Sequence, residues 1–288
     1  MAMREWDEST VTEEVVRRFE AAPPRLRQVM TALTRHLHAF AREVTLTEAE
    51  WMAAIEFLTR TGQACSDTRQ EFILLSDTLG LSTLVDALNH RAAPGATRST
   101  VLGPFFVQAA PAAENGARID AGRDAQPLLV EAAIQDTAGR PIAGATVDVW
   151  HADSEGFYDV QRDGGGLSHR ARFTSDAEGR IRFWTDMPVS YPVPDDGPVG
   201  DMLKATARHP WRPAHVHFMI AAPGHERLVT HIFVAGDPYL DSDVVFAVKD
   251  ALIGDFAAMP AGVARDGRAM DRPYRLLDYT FGLQPAAR

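Results

Sequence analysis

Apolar positions recur at steps of three and four along the first ninety residues. Val15 and Phe19, then Leu26, Val29, Met30, Leu33, Leu37 and Phe40, fall on one side of a 3.6-residue period and predict amphipathic helices over residues 11 to about 90. Pro23 and Pro24 divide the first helix from the second. Thr47 and Glu50 have capping-box spacing and open a third helix that carries Trp51, Ile55 and Leu58. A fourth is expected from about residue 67 to Leu79, stopping at Gly80. Helices so few and so one-sided do not close a bundle, so at least one stripe is expected to pack on a partner chain; the alternative is that they cap the following domain.

Residues 92–123 turn rich in Ala, Gly and Pro and mark a junction, with an apolar Gly-Pro loop, residues 97–106, inside it. Beyond the junction the period falls to two. Short strands are expected over residues 128–134, 145–150, 171–174, 180–184, 215–220 and 228–234, separated by turns at 136–140 and 176–179. Residues 250–256 are expected as a late helix and the tail to residue 288 as irregular. The fold class that follows is mainly β with an α-helical N-terminal domain: helices over residues 1–100 and an antiparallel β-sandwich over 101–288.

A chain of 288 residues, 45% of them apolar, has enough material for a sizeable core. The net charge of −10, with no Lys/Arg cluster to offset it, disfavours nucleic acid and anionic membranes and favours a small-molecule partner. A polar, acidic start and the lack of a bilayer-length apolar run lead to the expectation of a cytoplasmic protein. Cys65 is the only cysteine, so metal ligands here are N or O donors.

His215 and His217 are two apart on an expected strand and therefore project to one face, while Val216 and Phe218 point to the other. Such a pair suits zinc or iron and serves equally as a structural couple. Tyr158 lies just past a strand end and Tyr191 is held extended by Pro192. Two imidazoles with two phenols and no thiol favour a hard trivalent ion, Fe(III), because a bound cation can deprotonate a phenol whose free pKa is about 10. No Glu follows the His pair as a cupin needs, and neither a Gly-x-Ser-x-Gly nor a Gly-x-Gly-x-x-Gly motif occurs. A sandwich module that binds without chemistry remains the other reading.

Four segments in order, Gly103-Pro104-Phe105-Phe106, Trp150-His151-Ala152-Asp153 through Gly156-Phe157-Tyr158-Asp159, Ser190-Tyr191-Pro192, and Arg212-Pro213-Ala214-His215-Val216-His217, resemble those of the intradiol ring-cleavage dioxygenases. The resemblance extends over most of the chain. It implies one non-haem Fe(III) per subunit bound by Tyr158, Tyr191, His215 and His217, with Tyr191 the ligand that leaves when an aromatic 1,2-diol arrives, and O2 as co-substrate. It assigns Arg212 to charge stabilisation at the ring; a surface Arg lying along the strand is the alternative.

Residues 194–200 and 230–234 resemble the members that act on hydroxyquinol, 1,2,4-trihydroxybenzene. His231 stands where catechol-cleaving members usually carry Gln, and is expected at the catalytic site without an assigned role. Leu74, Asp77, Val101, Leu102, Gly103, Pro104 and Phe105 match that subgroup's pocket positions, with Asp77 offered to the third hydroxyl. Leu102 departs from the aromatic often found there, which keeps catechol or its chloro and methyl derivatives as alternative substrates. A homodimer through the N-terminal helices, with lipid between them, is also implied.

Overall fold

The change of period marks the change from helix to strand. α1 (Val11–Arg17), α2 (Pro24–Glu43), α3 (Glu48–Gln63), α4 (Glu71–Thr78) and α5 (Leu81–Asn89) come first. They are followed by β1 (Pro127–Asp136), β2 (Thr146–Trp150), β3 (Arg170–Thr174), β4 (Arg180–Asp186) and β5 (Tyr191–Pro192). After the short helix α6 (Pro198–Ala205) come β6 (Trp211–Arg212), β7 (His215–Ala221), β8 (Leu228–Val234), β9 (Ile253–Gly254), β10 (Phe256–Met259), β11 (Gly262–Val263), β12 (Ala269–Met270) and β13 (Tyr274–Leu283). The computed structural model describes residues 6–66, 69–108, 110–120, 122, 124–162 and 166–286. The chain divides into two compact units, Met1–Arg60 and Thr61–Arg288.

In the first unit Pro24 opens α2, where its missing N–H is no loss. The capping box at α3 closes both ways: Thr47 N–H donates to Glu50 Oε2 at 2.9 Å and Glu50 N–H to Thr47 Oγ1 at 3.3 Å. The predicted stripe stays uncovered, with Leu26, Leu33, Leu37 and Phe40 all exposed.

In the second unit the expected fourth helix starts later than its pattern suggested. Residues 67 and 68 lie outside the described residues; Ser66 N–H donates to the Arg69 carbonyl and Arg69 N–H to Ser66 Oγ, and α4 begins at Glu71. Residues 250–256 are not a helix. Asp250–Leu252 make one 3-10 turn, after which β9 joins β8 and β10 joins β13. A seven-residue apolar window cannot by itself separate helix from strand, and open strand edges decided the outcome. The tail is not irregular either, because Tyr274–Leu283 form a ten-residue strand.

β3-β2-β7-β8-β9 form one sheet and β10-β13-β1-β4 the other. The sheets are mixed rather than purely antiparallel: β1 runs parallel to β13 and β8 parallel to β9. Both parallel pairs are formed by late segments returning to earlier strands, which strand periodicity does not encode. The inner faces meet in an apolar layer where Phe173 of β3 stacks on Phe183 of β4 at 5.0 Å and Phe218 of β7 meets Phe281 of β13 at 4.7 Å. The outer face of the four-stranded sheet is covered as well, through Leu129, Trp184, Ala264, Tyr274 and Leu276. This is why β13 shows no alternation: it buries apolar side chains on both faces. The outer face of the five-stranded sheet carries the polar cluster described next.

Phe173→Ala removes a fully buried ring from the layer between the sheets and is expected to cost about 3–5 kcal/mol, read from urea denaturation midpoints at unchanged slope.

Candidate metal centre

β7 places its two imidazoles as the period of two requires. Val216 and Phe218 enter the inner layer, and His215 and His217 share the other face with their Nε2 atoms 3.1 Å apart. His217 lies between its two cross-strand neighbours: Trp150 of β2 stacks on it at 4.6 Å and 16°, and His231 of β8 meets it edge-on at 4.1 Å. The His215 ring is oriented by Nδ1–H donating to the Pro213 carbonyl at 2.7 Å, which leaves its Nε2 lone pair facing the cluster.

Both tyrosines converge on the same point. Tyr158 Oη lies 2.9 Å from His217 Nε2 and 3.1 Å from Tyr191 Oη. Tyr158 follows a turn knotted by Asp153, whose Oδ1 accepts the N–H groups of Glu155 and Phe157. Phe105 stacks on its ring at 4.4 Å. Arg170 binds both Asp159, the next residue, and the Phe105 carbonyl, so one buried guanidinium holds the turn and the stacking loop together. Tyr191 sits on β5, directly opposite Arg212 of β6. Arg212 Nη1 reaches Tyr191 Oη at 3.4 Å and His215 Nε2 at 3.2 Å. Close approach explains two glycines: a Cβ on Gly156 (φ +86°) would lie 2.9 Å from Tyr191 Cβ, and one on Gly103 (φ +77°) 3.3 Å from His217 Cε1.

The electrostatics of this dry cluster favour uncharged side chains in the absence of a cation. Burial pushes His215, His217 and His231 well below the ordinary imidazole range, reinforced by Arg212 and by neighbouring imidazoles. Burial likewise pushes the Tyr158 phenol well above its usual value, with Tyr191 adding to the effect. Burial opposes the charge on Arg212, but the Asp243 carboxylate, through its charge and its hydrogen bonds, holds the pKa above the ordinary value.

Tyr191 Oη, Tyr158 Oη, His217 Nε2 and His215 Nε2 form a chain of short contacts in which every group is buried, a concentration of lone pairs with few protons to share among them. A cation resolves this, since it accepts neutral imidazole lone pairs and stabilises phenolates. The donor set therefore fits a metal. His231 belongs to a group of buried histidines with His215 and His217 in which one ring nitrogen from each lies within 4.8 Å of the others. Neither of its own ring nitrogens has a hydrogen-bond partner among the described residues.

Beside the cluster a cleft of about 950 Å³ is lined in part by Asp77, Ser82, Val101, Leu102 and Gly103. The structure thus brings Asp77 and three of the expected loop residues together. Leu74 is buried in α4, Phe105 is buried against Tyr158, and Pro104 is half-buried; none of the three lines the cleft. Burial raises the Asp77 carboxyl, while Ser82 and the nearby Arg212 charge hold it down. Sequence reasoning missed Asp243, buried against Arg212, and no local motif signals it.

The family model described as "Dioxygenase" matches residues 101–284, and the one described as "Catechol dioxygenase N terminus" matches residues 23–97. The chain is 50% identical over 285 residues to a 6-chlorohydroxyquinol 1,2-dioxygenase of Cupriavidus pinatubonensis, covering 98% of this chain and 99% of that protein. It is 51% identical over 282 residues to a hydroxyquinol 1,2-dioxygenase of Rhodococcus opacus, covering 96% and 94%. Its structure resembles that of hydroxyquinol 1,2-dioxygenase from Pseudomonas putida DLL-E4, with a TM-score of 0.90 at 47% identity over 97% and 99% of the two chains.

Gly156→Ala forces the Tyr158 turn and Tyr191 apart and is expected to lower retained metal severalfold, measured by elemental analysis of the purified protein against wild type.

Proposed function

As the chain belongs to the intradiol ring-cleavage dioxygenases, we propose that it cleaves hydroxyquinol with O2 between the adjacent hydroxyls, yielding 3-hydroxy-cis,cis-muconate and its keto form maleylacetate. The convergence of Tyr158, Tyr191, His215 and His217 carries this reading. These four would hold one non-haem Fe(III), with two phenolates offsetting most of its charge in a buried site. When bound, the ion draws electron density from the diol and opens the ring to O2.

The chain's own residues do the rest. Tyr191 Oη, beside Arg212 Nη1, is placed to take a proton from an arriving diol hydroxyl. Arg212, fixed in charge and orientation, faces the negative charge that develops on the ring. Trp150, Phe105 and Gly103 crowd the cluster and exclude water from it. Asp77, on the wall of the adjoining cleft, is offered to the third hydroxyl, and His231 completes the site's inner wall against His217.

No described helix is long and apolar enough to cross a membrane. A single cysteine suits the reducing cytoplasm where we place the enzyme. The break between the two matched stretches supports a division into a helical region, residues 1–100, and a catalytic one, 101–288. The exposed stripe of α2 supports a homodimer through the helices, with a lipid on the apolar surface.

Purified iron-replete protein is expected to be red-brown and to consume O2 much faster with hydroxyquinol than with catechol, after correction for autoxidation. Preference for catechol would retain the metal site and overturn the substrate assignment; a colourless, iron-free, inactive protein would favour a binding module. Asp77→Ala is expected to shift relative kcat/KM toward catechol by about tenfold or more, because the wild-type carboxylate loses a partner when catechol binds. Arg212→Ala is expected to keep its iron and slow turnover by about two orders of magnitude; loss of iron would assign Arg212 a structural role.

A further inference from the structure

Arg212 has its donors divided between two tasks. Nε donates to Asp243 Oδ1 at 3.1 Å and Nη2 to Oδ2 at 3.3 Å, which leaves Nη1 directed at Tyr191 Oη and His215 Nε2. Both charged side chains are at most 4% exposed. Asp243 is itself immobilised by its own loop: Oδ2 accepts the Ala247 N–H at 3.0 Å and Oδ1 the Val245 N–H at 3.4 Å. The loop is latched to the strand that carries Arg212, since Val244 N–H donates to the Trp211 carbonyl at 3.2 Å.

A buried guanidinium cannot turn to water for compensation and is stable as a cation only with an anion beside it. A fork of two charge-assisted hydrogen bonds fixes the guanidinium plane as well as its position. We propose that Asp243 is a positioning residue that aims Arg212 Nη1 at the reacting ring and supplies its buried counter-charge. This rests on the role given to Arg212 above.

The test is a double-mutant cycle on the iron-loaded enzyme with hydroxyquinol, with iron content and the visible tyrosinate band recorded for every variant. Asp243→Asn keeps the shape and removes the charge. It is expected to retain iron and the visible band, to lower kcat about 10- to 100-fold and to change KM little. In an Arg212→Ala background the same substitution is expected to have almost no further effect, because its action passes through the guanidinium. Asp243→Glu, which keeps the charge, is expected to turn over faster than Asp243→Asn. Equal losses in both backgrounds, loss of iron or of the visible band in Asp243→Asn, or a Glu variant no faster than the Asn variant would each overturn the proposal. If Arg212→Ala slows turnover and Asp243→Asn does not, only the role of Asp243 falls. If Arg212→Ala does not slow it, the reading of Arg212 falls first and this proposal with it.

Discussion

Two imidazole nitrogens 3.1 Å apart and two phenol oxygens 3.1 Å apart meet in a space from which burial removes water. Left alone, such a cluster is poorly satisfied. Burial keeps the imidazoles neutral and pushes the Tyr158 phenol well above its usual range, so neither charges readily to relieve the cluster. A cation at their centre reverses each penalty at once, turning lone pairs into ligands and phenols into phenolates. The surrounding structure has the task of keeping these four groups together.

That task is divided among supports of different kinds. The sheet supplies register: His217 is flanked by Trp150 and His231 because those residues stand opposite it on β2 and β8. The loops supply stacking and charge, Phe105 on Tyr158 and Arg170 bridging Asp159 to the Phe105 carbonyl. Most supports thus lie one residue away from a proposed ligand or directly across a strand from it. Arg212 stands opposite Tyr191 in a two-stranded ribbon and three residues before His215.

The helices serve another end. α4 and α5 contribute Asp77 and Ser82 to the cleft wall, where burial raises the Asp77 carboxyl against the opposing pull of Ser82 and Arg212. α2 keeps an apolar stripe open. Hydroxyquinol differs from catechol by one hydroxyl, so the proposed discrimination is assigned to a polar group on the cleft wall and the proposed ring opening to the cluster of His and Tyr side chains.

Much of this was legible in the chain. The 3.6-residue stripe predicted the helices, Thr47 and Glu50 the capped start of α3, and a period of two placed His215 and His217 on one face of β7, because these features depend on neighbours within a turn or a strand. Donor chemistry was local too: two His, two Tyr and a single Cys restrict the metals a site can hold. Other features depended on residues far away in sequence. β13 hid its strand character because both of its faces are covered, and the late helix expected at residues 250–256 became strand because β8 and β13 offered open edges. Tertiary structure alone decided that Trp150 would stack on His217, that Arg170 would join Asp159 to Phe105, and that Asp243 would lie behind Arg212, 31 residues away. A local pattern records what a residue requires, a buried face or a counter-charge; which distant residue meets that requirement is decided only when the sheets close and the strands take their register.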